Sequence, residues 1–234
     1  MEVHEVAREV VWDRHPDARA AFLGGSVLTE HRTATSDLDV VVLLKGEPAP
    51  YRESLFHEGW PVELFVHTEE SWHEFTGREV RRRRSPLLWM CASGALLFDA
   101  DGVGGRIATE AKRFVETGPP AVETEELEDA RYSLTDLLDD LRGCREPGER
   151  LFIVTELVNR VGQLTLLNRG SWLGGGKWLG RRLDEHAPGV SRQLDACVQQ
   201  ALRGEVQPLI ALAEELLIEA GGPLWAGYRR GGPT

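Results

Sequence analysis

The chain has 234 residues, 41% hydrophobic and 28% charged, the composition of ordinary globular material with enough length to bury a core in one domain or two. Lys and Arg number 27 against 38 Asp and Glu, a net charge of −11, which argues against broad adhesion to nucleic acid or anionic membrane and weakly suits a cationic small substrate. Cys91, Cys144 and Cys197 form no CxxC pair, no run is long enough to span a bilayer, and the first five residues lack a basic-then-apolar signal, so a reduced, cytoplasmic protein without a membrane partner is expected.

In chain order, Val3, Val6, Ala7, Val10 and Val11 fall at helical spacing within a stretch from Glu2 to Ala21 and predict a leading helix. Phe22-Leu23 reads as a short strand that ends at Gly24-Gly25, and Leu38–Leu44 as a second, continuously apolar strand. Tyr51–His57 and Pro61–His67 pair as a hairpin around Glu58-Gly59-Trp60. Helices are expected from Glu69 to about Arg83, from Pro86 onward, and from Gly105 to about Thr117, with a turn at Asp99–Gly102. Gly118-Pro119-Pro120 breaks any helix and is followed by an acidic helix start at Glu123–Asp129. Beyond it the pattern is almost wholly helical: Leu127 to Leu141, Leu151 to Leu164, Trp178–His186, Val190–Leu202 and Val206–Ala220. The expected organisation is an α/β (α+β) domain with a mixed sheet over 1–118, an all-α helical bundle over 121–222 and a tail over 223–234, the glycine-rich chain from Gly221 onward being loosely held.

The second strand carries an oddity. Asp37 and Asp39 stand at the mouth of Leu38–Leu44, two apart, so they point the same way. Carboxylates that close repel unless a cation lies between them. Glu63 is the lone charge in Pro61–Val66, and completes a three-carboxylate cluster if that strand lies beside Leu38–Leu44. Hard oxygen ligands of this kind favour Mg²⁺, which takes phosphate oxygens and water as its other ligands. Upstream, Gly24-Gly25-Ser26 leaves a strand in a tight turn, offering backbone amides and a hydroxyl to an anion. These parts describe a triphosphate held between a glycine turn and metal-bearing aspartates, with two metal ions activating an acceptor and stabilising departing pyrophosphate.

The combination of "GGS", ten intervening residues, "DLD" and a later "VELFV" resembles the signature of the nucleotidyltransferase (DNA polymerase β-like) superfamily over Phe22 to Val66. The resemblance implies that Asp37, Asp39 and Glu63 carry two Mg²⁺ ions and that Gly24, Gly25 and Ser26 hold the triphosphate of ATP or another NTP. The alternative for these residues is an Asp37 that caps a turn and a Glu63 that is an edge-strand charge.

The helical half resembles, less specifically, the bundle of bacterial small-molecule members such as the aminoglycoside nucleotidyltransferases. There the second domain closes over the nucleotide, contacts the acceptor and sometimes supplies a general base. Glu156, Asn159 and Gln163 form one polar stripe on an apolar helix, and Glu156 is the candidate base; a solvent-exposed polar face explains the stripe equally well. Asp136, Asp139 and Asp140 are rivals. Lys177, after Gly174-Gly175-Gly176, is the candidate phosphate ligand from this half, set against a mobile loop with a solvated lysine; Trp178 after it excludes a P-loop.

Arg78–Arg84 is the one basic run, read as a solvated helix end rather than an RNA contact. The seven histidines show no zinc spacing. Trp172 and Trp178 flank the glycines as core residues or as walls of an acceptor pocket. The expected enzyme transfers a nucleoside monophosphate, first AMP from ATP, to a hydroxyl of a small molecule, with an aminoglycoside-type antibiotic and hence resistance as the first guess. The alternatives are transfer to a protein or tRNA, as in toxin–antitoxin members, and a catalytically silent nucleotide-binding protein. The sequence leaves the oligomeric state open, a homodimer included.

Overall fold

Val6, Ala7, Val10 and Val11 are the buried face of a helix, α1 (Val3–Arg14). It ends well short of Ala21, because Pro16 disfavours a helical backbone at His15, whose φ of −139° leaves the helix. The computed structural model describes residues 2–231. It contains two units, Met1–Pro119 and Pro120–Thr234.

The first unit is built on five strands: β1 (Ala20–Gly24), β2 (Leu38–Leu44), β3 (Tyr51–His57), β4 (Trp60–Thr68) and β5 (Ala95–Asp99). Their order across the sheet is β3-β4-β2-β1-β5. β2 and β4 run parallel and the other pairs antiparallel, so the sheet is mixed. The predicted hairpin is present, its turn made by Glu58 and Gly59, both at positive φ, which matches the twist of the strands it joins. One sheet face presents Ala21, Leu23, Val40, Val42, Leu64 and Val66 to α1. The opposite face, with Phe22, Val41 and Leu43 fully buried, packs against α2 (Glu69–Arg81), α3 (Pro86–Ser93) and α4 (Val103–Thr117).

Thr68 caps α2 by accepting from the Ser71 N–H while the Ser71 hydroxyl accepts from the Thr68 N–H. Ser85 caps α3 ahead of Pro86. β5 was not expected. Its residues Ala-Leu-Leu-Phe-Asp continue the apolar run of α3 with no change of period, and only the Gly94 cap separates helix from strand.

The second unit contains α5 (Thr124–Gly143), α6 (Pro147–Asn168), α7 (Lys177–His186), α8 (Val190–Leu202) and α9 (Gln207–Glu219). Leu134, Leu138 and Leu141 of α5 meet Leu157, Val161 and Leu164 of α6 in its core, the three- and four-residue spacing placing each set on one stripe. A mixed sheet with helices is thus followed by a helical C-terminal region, the fold class read from the sequence.

The expectation of a loosely held tail fails. Arg131 donates to the carbonyls of Gly221 and Gly222 at 2.7 and 2.8 Å. The Leu224 N–H donates to the Thr135 hydroxyl at 3.1 Å. Tyr132 stacks on both Trp225 and Tyr228, and Arg230 pairs with Glu128 and Asp129. The tail is strapped along α5; residues 232–234 of the expected tail lie outside the described residues.

Candidate active site

Strand pairing fixes the centre of the site. Gly24 of β1 lies opposite Asp39 of β2, Asp39 opposite Glu63 of β4, and Glu63 opposite Ser54 of β3. The row Gly24–Asp39–Glu63–Ser54 therefore crosses four adjacent strands on one face, the face that carries α2–α4 further along the strands. Opposed residues of a sheet share a face, so the carboxylates of Asp39 and Glu63 project together. Asp37, two residues before Asp39, joins them. One carboxylate oxygen from each of the three lies within 4.8 Å of the others, and all three side chains are half-buried. Among the described residues this is the one group of three or more acidic, His or Cys side chains so gathered.

The glycines beside the cluster have separate reasons. At Gly24 a Cβ would fall 2.8 Å from Met90 Cγ and 3.3 Å from its Cα, so glycine lets α3 close on the sheet. At Gly25, φ is 84° and a Cβ would overlap Asp39 Oδ2. The backbone at Gly25 thus lies directly against the carboxylate of Asp39. A 3₁₀ turn, Ser26–Leu28, follows.

Ser26 is buried, and its hydroxyl shares a hydrogen bond of 3.0 Å with that of Ser36. The Ser36 hydroxyl also accepts from the Thr33 N–H at 2.9 Å. This pair staples the two ends of the loop that links the glycines to Asp37. Sequence reasoning passed over Ser36; its place immediately before Asp37 was the available signal.

Arg52 was also missed. It donates to Glu63 Oε2, and its guanidinium lies 4.7 Å from the ring centroid of Phe65. In an alternating strand such as Tyr-Arg-Glu-Ser-Leu-Phe-His, an arginine reads as an exposed edge charge, and only the pairing register reveals its partner. Farther along the same face, burial lowers the pKa of His67 to about 4, so its imidazole is neutral at pH 7. Its Nδ1 is 3.2 Å from the Ser71 hydroxyl.

Residues predicted from the helical half lie in the second unit. Glu156 is on α6 and accepts from Arg160 Nε at 2.7 Å. Asn159 donates to the Thr155 carbonyl at 3.0 Å. Asp139 is engaged by Arg142, which also reaches Glu214. Lys177 is exposed at the first position of α7. Trp172 is buried at 4% exposure and so walls no open pocket, whereas Trp178 is exposed beneath Arg181.

The basic run differs from its expectation in one residue. α2 ends at Arg81, and Arg81, Arg82 and Arg84 are exposed, but Arg83 is fully buried at φ 54°. Within the run, burial pushes the Glu79 carboxyl's pKa up, opposed by the hydrogen bonds from Ser85 and from the Leu87 N–H and then by Arg82 and Arg84.

Neither a family model nor a curated protein matches the sequence. Among solved structures, the chain is similar to a nucleotidyltransferase-like protein from Exiguobacterium sibiricum 255-15, solved at 1.90 Å resolution. The TM-score is 0.48 and the identity 13%, over 94% of this chain and 77% of that one. No helix among the described residues is long and apolar enough to cross a membrane.

Proposed function

We propose that this chain is a divalent-metal-dependent nucleotidyltransferase that moves a nucleoside monophosphate, AMP first of all, from an NTP to a hydroxyl of a small molecule. One observation carries the reading: strand register gathers Asp37, Asp39 and Glu63 on one face, with the backbone of Gly25 against Asp39.

The donor set fits Mg²⁺. It consists of three carboxylates, hard and anionic, half-buried and gathered so that one oxygen of each lies within 4.8 Å of the others. Asp37, Asp39 and Glu63 would hold the metal. Bound there, it neutralises phosphate charge and makes an acceptor oxygen more acidic. The chain's own residues do the rest. The rigid sheet orients Asp39 and Glu63, and the Ser26–Ser36 staple fixes the loop that delivers Asp37.

In the transfer, the acceptor oxygen bonds to the α-phosphorus. The bond from that phosphorus to the bridging oxygen breaks, and its electron pair leaves with pyrophosphate. Gly25 and Ser26 are the proposed phosphate ligands, and the hydroxyl's proton passes to water. The net charge of −11 favours a polycationic acceptor of the aminoglycoside kind.

Mg²⁺-dependent pyrophosphate release from each NTP, with aminoglycoside, protein and tRNA acceptors and with Asp39→Asn as the blank, tests the proposal. Release with a small-molecule acceptor supports it. Release only with tRNA or protein moves the target to a macromolecule. Binding of MgATP without release under any condition overturns transfer in favour of a nucleotide sensor.

A further inference from the structure

Glu63 is the member of the carboxylate cluster that is reached by an arginine from the neighbouring strand. Arg52 of β3 lies opposite Phe65 of β4, and Ser54 of β3 opposite Glu63 of β4, so Arg52 and Glu63 are diagonal neighbours on one face. Diagonal pairs on adjacent strands are within reach of a long side chain. Arg52 uses that reach twice: Nη2 donates to Glu63 Oε2 while the guanidinium plane rests over the Phe65 ring. The ring gives the guanidinium a resting place beside the carboxylate.

The two partners differ in exposure. The Glu63 side chain is 26% exposed and that of Arg52 59%. A contact between a rather sheltered acid and an open base exchanges readily, because the base can return to water without breaking any core packing. The same lone pairs of Glu63 that accept from Arg52 would serve a metal ion.

We propose that Arg52 is a positioning residue that competes with the divalent cation for Glu63. It occupies a Glu63 oxygen from the β3 side, across from Asp39 on β2, and so sets how tightly the cluster takes metal. This rests on the metal reading above. A cation that binds must displace the guanidinium from Glu63 or share the carboxylate with it, and in either case it meets a positive charge beside its ligand. Removing that charge should tighten metal binding, whereas loss of an ordinary structural contact next to a site loosens it.

The test is a titration of the full-length protein with Mn²⁺ alone at low ionic strength, with free Mn²⁺ followed by electron paramagnetic resonance. Arg52→Gln should bind about five- to twentyfold more tightly than wild type, the size expected from releasing an exposed ion pair and deleting a nearby charge. The gain should shrink as salt is added. Arg52→Lys, which keeps the charge, should stay closer to wild type, and in a Glu63→Gln background the Arg52→Gln gain should shrink. Circular dichroism checks that each variant is folded, as expected for an exposed edge-strand position. Equal or weaker binding by folded Arg52→Gln overturns the role of Arg52 while leaving the metal site standing. A gain undiminished in the Glu63→Gln background also overturns it, because that reports only long-range charge. No Mn²⁺ binding by wild type or Arg52→Gln at millimolar concentration overturns the metal reading and this inference together.

Discussion

At Gly25 the backbone takes φ 84°, and any Cβ would overlap the Asp39 carboxylate, so alanine meets a strained backbone and a blocked neighbour together. Gly25→Ala should lose about 2–4 kcal/mol of stability, measured by urea unfolding, along with all pyrophosphate release. Asp39→Asn should behave differently. It keeps size and shape and relieves repulsion between acids, so the urea midpoint should hold while transfer falls about a thousandfold, or roughly 4 kcal/mol of transition-state stabilisation. Turnover at wild-type rate in the folded variant would remove the assigned chemistry. His67 gives a pH signature. Its folded pKa of about 4 lies below the unfolded value near 6.5, so the unfolded chain binds the extra proton as pH falls between them. Stability is therefore full above about pH 6.5 and drops by about 3 kcal/mol towards pH 4; a His67→Asn variant should lack that part of the drop. Asp37, Asp39 and Glu63 were legible because a carboxylate in an apolar strand is conspicuous. Ser36 and Arg52 were not, because a serine in a loop and an arginine on an edge strand are unremarkable until pairing shows what they touch.

Elements with one clear period were read correctly, among them β2 and the β3–β4 hairpin. Those whose identity depends on distant partners were not. β5 is such a case: its run follows that of α3, and only pairing with β1 makes it a strand. The tail is another. Its glycines signal looseness, but what holds it is Tyr132, nearly a hundred residues earlier, between Trp225 and Tyr228. Tyr132→Ala removes both stacked pairs and should cost the helical unit about 1–3 kcal/mol, with faster hydrogen exchange at Leu224 as the local readout. Unchanged exchange there would mean that Arg131 and Arg230 hold the strap without the rings.

The chain contains two units, Met1–Pro119 and Pro120–Thr234, and each has its own apolar core. A protease specific for glutamate, used sparingly, should cut first near Glu116 or Glu123 and leave an N-terminal fragment with a mixed circular dichroism spectrum and a C-terminal one with a helical spectrum; early cuts within α5 or β4 would contradict the division. The parallel pairing of β2 with β4 has a consequence for how this chain reaches its fold. Parallel neighbours are joined through a long excursion, here the whole of β3, so nothing local dictates their alignment. A slip of one residue would turn Glu63 towards α1, among Val6, Val10 and Val40, where an unanswered carboxylate costs several kcal/mol. The acid proposed to serve the chemistry thus also proofreads assembly: a mispaired sheet pays at once for the charge it has buried, and only the alignment that builds the site escapes the penalty.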